Sequence, residues 1–90
     1  MLPDEEYREL QATLVNQPDI GPVIPKSGGI RKMRWGIADR GKSGGARIIY
    51  YWATTDDKIL MLLIYAKNES EDLTSSQIKL MKEIVEKEFP

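Results

Sequence analysis

ARIIYYWATTDDKILMLLIYA, residues 46–66, decides how this chain folds. Its first half is dense in β-branched and aromatic residues and alternates, with Ala46, Ile48, Tyr50 and Trp52 on one face and Arg47, Ile49, Tyr51 and Ala53 on the other. That composition and period describe a strand. TTDDK is a tight turn, with Asp56 and Asp57 supplying side chains that hydrogen-bond locally. Beyond it, residues 58–66 are apolar on both faces, the pattern of a strand in the middle of a sheet. Two strands joined so closely pair as an antiparallel hairpin.

Upstream, IRKMRWGI (30–37) alternates again: Met33, Trp35 and Ile37 share one face, Lys32 and Arg34 the other. Strands over 30–37, 46–53 and 58–66 therefore form a meander. Residues 17–29, QPDIGPVIPKSGG, carry three prolines and three glycines and form a connecting loop. Before that loop, 4–17 reads as a helix. Tyr7, Leu10 and Leu14 recur at helical spacing, acids crowd the first turn and Pro18 comes just after the end. At the other end, Thr74 and Gln77 spell a capping box for a helix over 74–88, with Ile78, Met81, Ile84, Val85 and Phe89 on one face. The expected structure is one α+β domain over residues 1–90. Its antiparallel meander has three to four strands, with both helices packed on one face and the other left for function.

The 90 residues include no cysteine and no histidine, which removes disulfides, thiolate chemistry, and the commonest zinc ligand and general base. The run from Ile59 to Ala66 is too short to span a bilayer, and the acidic opening LPDEEYREL is unlike an export leader, so a cytoplasmic setting is expected. Net charge is −1, but it is unevenly spread. Residues 26–47 hold seven bases (Lys26, Arg31, Lys32, Arg34, Arg40, Lys42 and Arg47) against Asp39 alone, while both flanks are net acidic. A basic segment of this kind fits a polyanion such as RNA or DNA, or else a solvated loop paired with its acidic flanks.

GIADRGKS, residues 36–43, matches the phosphate-loop pattern G-x-x-x-x-G-K-[ST]. The mechanism behind that pattern requires a helix to begin at the Lys-Ser pair, so that its N-terminal amides face the anion. After Ser43 the chain runs GGARIIYYWA, a turn into a strand. Nucleotide triphosphate binding is therefore not expected.

The pieces GIRKMRW…GKSGGARIIYY and YAKNESEDLT, within a match covering residues 2–88, resemble the HigB-type branch of the RelE/ParE toxin superfamily. The resemblance implies a RelE-like fold and a toxin of a type II toxin-antitoxin system. Such a toxin enters the ribosome and cuts mRNA without metal or organic cofactor, stopping translation and growth. Its partners would be a cognate antitoxin, usually a helix-turn-helix protein of the HigA kind, the ribosome and mRNA, with no membrane. It also implies a further N-terminal strand that this sequence does not carry, so that a partner strand, or self-association, would cover an open sheet edge. A ParE-like toxin that binds a topoisomerase without cutting RNA, or an inactive RNA- or protein-binding relative, are the alternatives.

Metal-free RNA cleavage proceeds by attack of a 2′-hydroxyl on its own phosphate. The site must remove that proton, stabilise a dianionic phosphorane and support the departing 5′-oxygen. Without histidine, cations must do much of this work. By the resemblance, Arg47 contacts the scissile phosphate and Lys32 and Arg34 form a basic pair on the preceding strand. Lys67 is a basic group whose neutral form is favoured by crowding arginines, and Glu71, with Glu69, is an acidic candidate for base catalysis. Arg31, Arg40 and Lys42 are candidates for RNA backbone contacts, and Tyr65, like Tyr50, for stacking on a base. No metal site is expected.

Overall fold

The computed structural model describes residues 4–36, 45–66 and 73–89. Helix α1 spans Asp4–Asn16, strands β1 Ile30–Trp35, β2 Ala46–Ala53 and β3 Lys58–Ala66 come next, and helix α2 spans Ser75–Glu88. The strands form an antiparallel sheet in the order β1-β2-β3. The fold is thus α+β with a three-stranded open sheet, of the RelE-like kind. Ile37, expected at the end of the first strand, lies outside the described residues.

Each helix begins for local reasons. Asp4, Glu5 and Glu6 occupy the first turn of α1, where the helix dipole favours negative charge. In α2 the Thr74 hydroxyl accepts from the Gln77 N–H at 3.1 Å and the Gln77 side chain accepts from the Thr74 N–H at 2.9 Å. Two of the orphan donors at the helix start are thereby satisfied.

The layering differs from the sequence expectation. Leu10 and Leu14 of α1 pack with Met33, Ala46, Ile48 and Tyr50, whereas Met81 and Val85 of α2 pack with Ile30, Ile49 and Tyr65. These sheet residues have opposite parity along their strands, so the helices lie on opposite faces and not on one. The physical reason is already present in β2 and β3: both faces of both strands are apolar, and each face needs a cover. A second correction concerns β3. Its two-sided apolar pattern suggested a central strand, yet it is β2 that sits in the middle and β3 at the edge.

Between Ile49 and Tyr50 the register shifts: Ile49 pairs with Leu63 and Tyr50 with Met61, which leaves Leu62 as an extra residue on β3. This bulge lets Leu62 join Leu60 and Tyr65 on the α2 side. The outer edge of β1 is covered by the preceding loop, which forms a bridge between Val23 and Arg31. The Ile24 N–H donates to the Ile30 carbonyl at 2.8 Å, and the Lys32 N–H donates to the Pro22 carbonyl at 3.1 Å. Among the described residues, no helix is long and apolar enough to cross a membrane.

The loop is pinned to the sheet by Tyr50. Its buried hydroxyl donates to the Pro18 carbonyl at 2.8 Å and accepts from the Gly21 N–H at 3.0 Å. Burial raises the Tyr50 pKa above its ordinary 10.0, opposed by the Gly21 hydrogen bond and the nearby Arg31 charge. Gly21 is required by space: a Cβ there would come within 2.9 Å of the Lys32 carbonyl oxygen.

Candidate functional site

Strand parity places Lys32 and Arg34 of β1 and Arg47 of β2 on the same face of the sheet, the one that carries α2. In the β1-β2 register Arg34 stands directly opposite Arg47, and Lys32 opposite Ile49. Directly opposed residues in an antiparallel pair hold their Cβ atoms about 4.5–5.5 Å apart, and like charges so placed are destabilising. Arg34 is exposed and Arg47 half-buried. Neither side chain forms an ion pair or hydrogen bond with another described residue. Two arginines at directly opposed ladder positions, with no carboxylate paired to them among the described residues, suit an anion with several oxygens, such as a phosphodiester.

The same cross-strand row continues to Tyr65, which pairs with Arg47 from the β3 side. The ring is 7% exposed and packs in the core with Met81 and Val85. Its hydroxyl is buried and has no hydrogen-bond partner among the described residues. The ring is a wall of the site and presents no face on which a base could stack. Tyr50 is likewise wholly buried, on the α1 side.

Arg31 is not brought to this row. Its parity puts it on the α1 face, where a guanidinium N–H donates to the Gly21 carbonyl at 2.7 Å, with a longer contact of 3.4 Å to the Asp19 carbonyl. The same guanidinium lies 5.9 Å from the centre of the Trp52 ring, within cation-π range. Arg31 therefore buckles the loop to the sheet. The sequence signal for this was available, since Arg31 sits one residue out of phase with Lys32 and Arg34.

Lys67 and Glu71, the proton-transfer candidates, and Arg40 and Lys42, the RNA-contact candidates, lie outside the described residues, as does Glu69. The phosphate-loop match at 36–43 lies outside them too, except for Gly36. Both undescribed internal segments adjoin the cationic row in sequence. One joins β1 to β2 between Trp35 and Ala46, and the other comes after Ala66 at the end of β3. Among the described residues no cluster of three or more acidic, histidine or cysteine side chains could hold a metal ion.

The family described as the RelE toxin of the RelE/RelB toxin-antitoxin system matches residues 24–89. That span takes in all three strands, α2, and every cationic residue of the row.

Proposed function

Because this chain belongs to the RelE toxin family, the toxin half of a toxin-antitoxin system, we propose that it is a HigB-type mRNA endoribonuclease acting on the ribosome, without metal or organic cofactor. The observation that carries this reading is the Arg34-Arg47 pair across the β1-β2 ladder, which has no acidic partner among the described residues. A protein-binding relative has no need to hold two cations at directly opposed ladder positions. A nuclease does: as the 2′-oxygen bonds to phosphorus, its proton leaves to a base and the phosphorane gathers a second negative charge. The P–O5′ bond then breaks as the departing oxygen takes a proton from a general acid, giving a 2′,3′-cyclic phosphate and a 5′-hydroxyl. Arg47, stiffened by the β2 ladder, addresses one non-bridging oxygen, and Arg34 addresses the other or the neighbouring backbone. Each such preorganised donor contributes about 10²- to 10³-fold in rate.

Lys67 and Glu71 serve as the proton-transfer candidates in this reading, and Lys32, Arg40 and Lys42 extend the backbone contact. Growth arrest in the cytoplasm results from loss of messages. Its antitoxin is of the helix-turn-helix, HigA-like kind, and the outer edge of β3, unpaired among the described residues, is where self-association would begin.

Expression in a bacterial host, with primer extension on an abundant message, tests the proposal beside Arg47→Ala. New mRNA ends with the parent chain and none with the variant support it. Growth arrest without new ends would overturn it in favour of a topoisomerase-binding, ParE-like toxin.

A further inference from the structure

On the face of the sheet away from the cationic row, a cavity of about 220 Å³ lies between the last turns of α1 and the β2-β3 hairpin. Leu14, Trp52, Ile59 and Met61 give it an apolar floor, and Val15 and Asp57 stand exposed at its mouth. Its walls are preformed. Trp52 pairs with Ile59, and Tyr50 with Met61, across the β2-β3 ladder. Leu14 is wholly buried in the core under α1. Pro18, also in the lining, has its carbonyl held by the buried Tyr50 hydroxyl at 2.8 Å. A cavity built in this way binds without the cost of ordering its walls.

Size and charge together define what it would take. Pockets for drug-sized molecules and cofactors begin at about 300 Å³, whereas a cavity of about 150 Å³ already holds a benzene ring. The space under α1 therefore suits one ring or branched chain with a short extension. Asp57 carries the only charge among the described lining residues. Arg8 and Lys58 are absent from the lining. Arg31, whose guanidinium lies 5.9 Å from the centre of the Trp52 ring, is held by the Gly21 and Asp19 carbonyls. The apolar floor thus meets a single carboxylate, beside an indole, the aromatic group that cations favour most.

We propose that this cavity is a binding site for a small organic ammonium ion, its aromatic or branched aliphatic body against Trp52, Ile59 and Met61 and its charge at Asp57. Trp52 lies about 17 Å further along β2 than Arg47 and on the opposite face. A molecule bound here touches neither Arg34 nor Arg47, so occupancy of the cavity does not depend on the RNA reading.

Methyl NMR titration of the 90-residue chain with 2-phenylethylammonium tests this, beside uncharged 2-phenylethanol and anionic phenylacetate. Expected are shifts of the Leu14, Val15, Ile59 and Met61 methyls, with a Kd of about 1 mM for the ammonium. The alcohol should bind about three- to tenfold more weakly and the acid more weakly still, while the Arg34 and Arg47 side-chain signals stay unmoved. Asp57 has a left-handed backbone, with φ of 52°, which asparagine also accepts. Asp57→Asn therefore removes the charge and keeps the turn. It should bring the ammonium and the alcohol to within about twofold of each other and leave the affinity of the alcohol unchanged. Equal binding of ammonium and alcohol by the parent chain, or a preference for the acid, would overturn the assignment, as would cavity methyls that none of the three moves. A tripeptide beginning with phenylalanine that binds more tightly than the free amine would overturn it too, in favour of a site for polypeptide N-termini.

Discussion

The Arg34-Arg47 juxtaposition predicts a stability penalty that a double-mutant cycle measures. The perturbation is Arg34→Gln, Arg47→Gln and the two combined, glutamine keeping much of the aliphatic stem while removing the charge. With the Cβ atoms opposed, the guanidinium groups splay to about 7 Å, where the repulsion in a water-like dielectric is about 0.6 kcal/mol before screening. A Debye length of about 30 Å at 0.01 M salt leaves about 0.5 kcal/mol, and one of about 8 Å at 0.15 M leaves about 0.25 kcal/mol. For a domain of this size these correspond to about 2–4 °C and 1–2 °C in Tm. Urea or thermal unfolding of the four proteins at the two salt concentrations gives the coupling, since the cycle cancels what each substitution does alone. Expected is a repulsive coupling that roughly halves with salt. A coupling of zero at low salt, or an attractive one, would refute the claim that two cations with no acidic partner among the described residues face each other here. The same variants should lose RNA cleavage, so the gain in stability and the loss of function fall on the same residues.

Tyr50→Phe leaves the Gly21 N–H and the Pro18 carbonyl without their partner and should cost about 1–3 kcal/mol in equilibrium unfolding. Because burial raises the Tyr50 pKa, the folded state holds that proton more tightly than the unfolded one. This contribution is complete below the ordinary value of 10.0 and is lost as pH rises through the higher folded value; Tyr50→Phe should show a weaker alkaline loss of stability. Thr74→Ala removes the hydroxyl half of the capping box and should cost about 1 kcal/mol, read as a drop in Tm, with amide exchange at the start of α2 rising first. Lys26 has a left-handed backbone, with φ of 64°. Lys26→Gly should therefore stabilise the fold by about 0.5–1 kcal/mol by chemical denaturation, the relieved strain exceeding the added chain entropy.

Much of this protein is legible in its sequence because the signals are local. The turn at TTDDK, the alternation in β1 and β2, and the Thr74-Gln77 box each depend on residues a few positions apart, and the elements track them closely. The cationic face was readable for the same reason, since parity alone places Lys32 and Arg34 together and Arg31 apart. Three matters were decided only by tertiary structure. One is the layering: apolar residues on both faces of β3 state that both are buried, but not whether strands or helices bury them, and here a helix covers each side of the sheet. Another is the partnership of Arg34 with Arg47, which depends on a register set by side chains across the whole hairpin rather than by either strand. The third is the cavity under α1, whose walls come from residues about 45 positions apart in sequence. No local pattern encodes that meeting. It exists because α1, seeking cover for Leu10 and Leu14, docks on the face opposite the basic row, and Tyr50 pins the loop after that helix to the sheet.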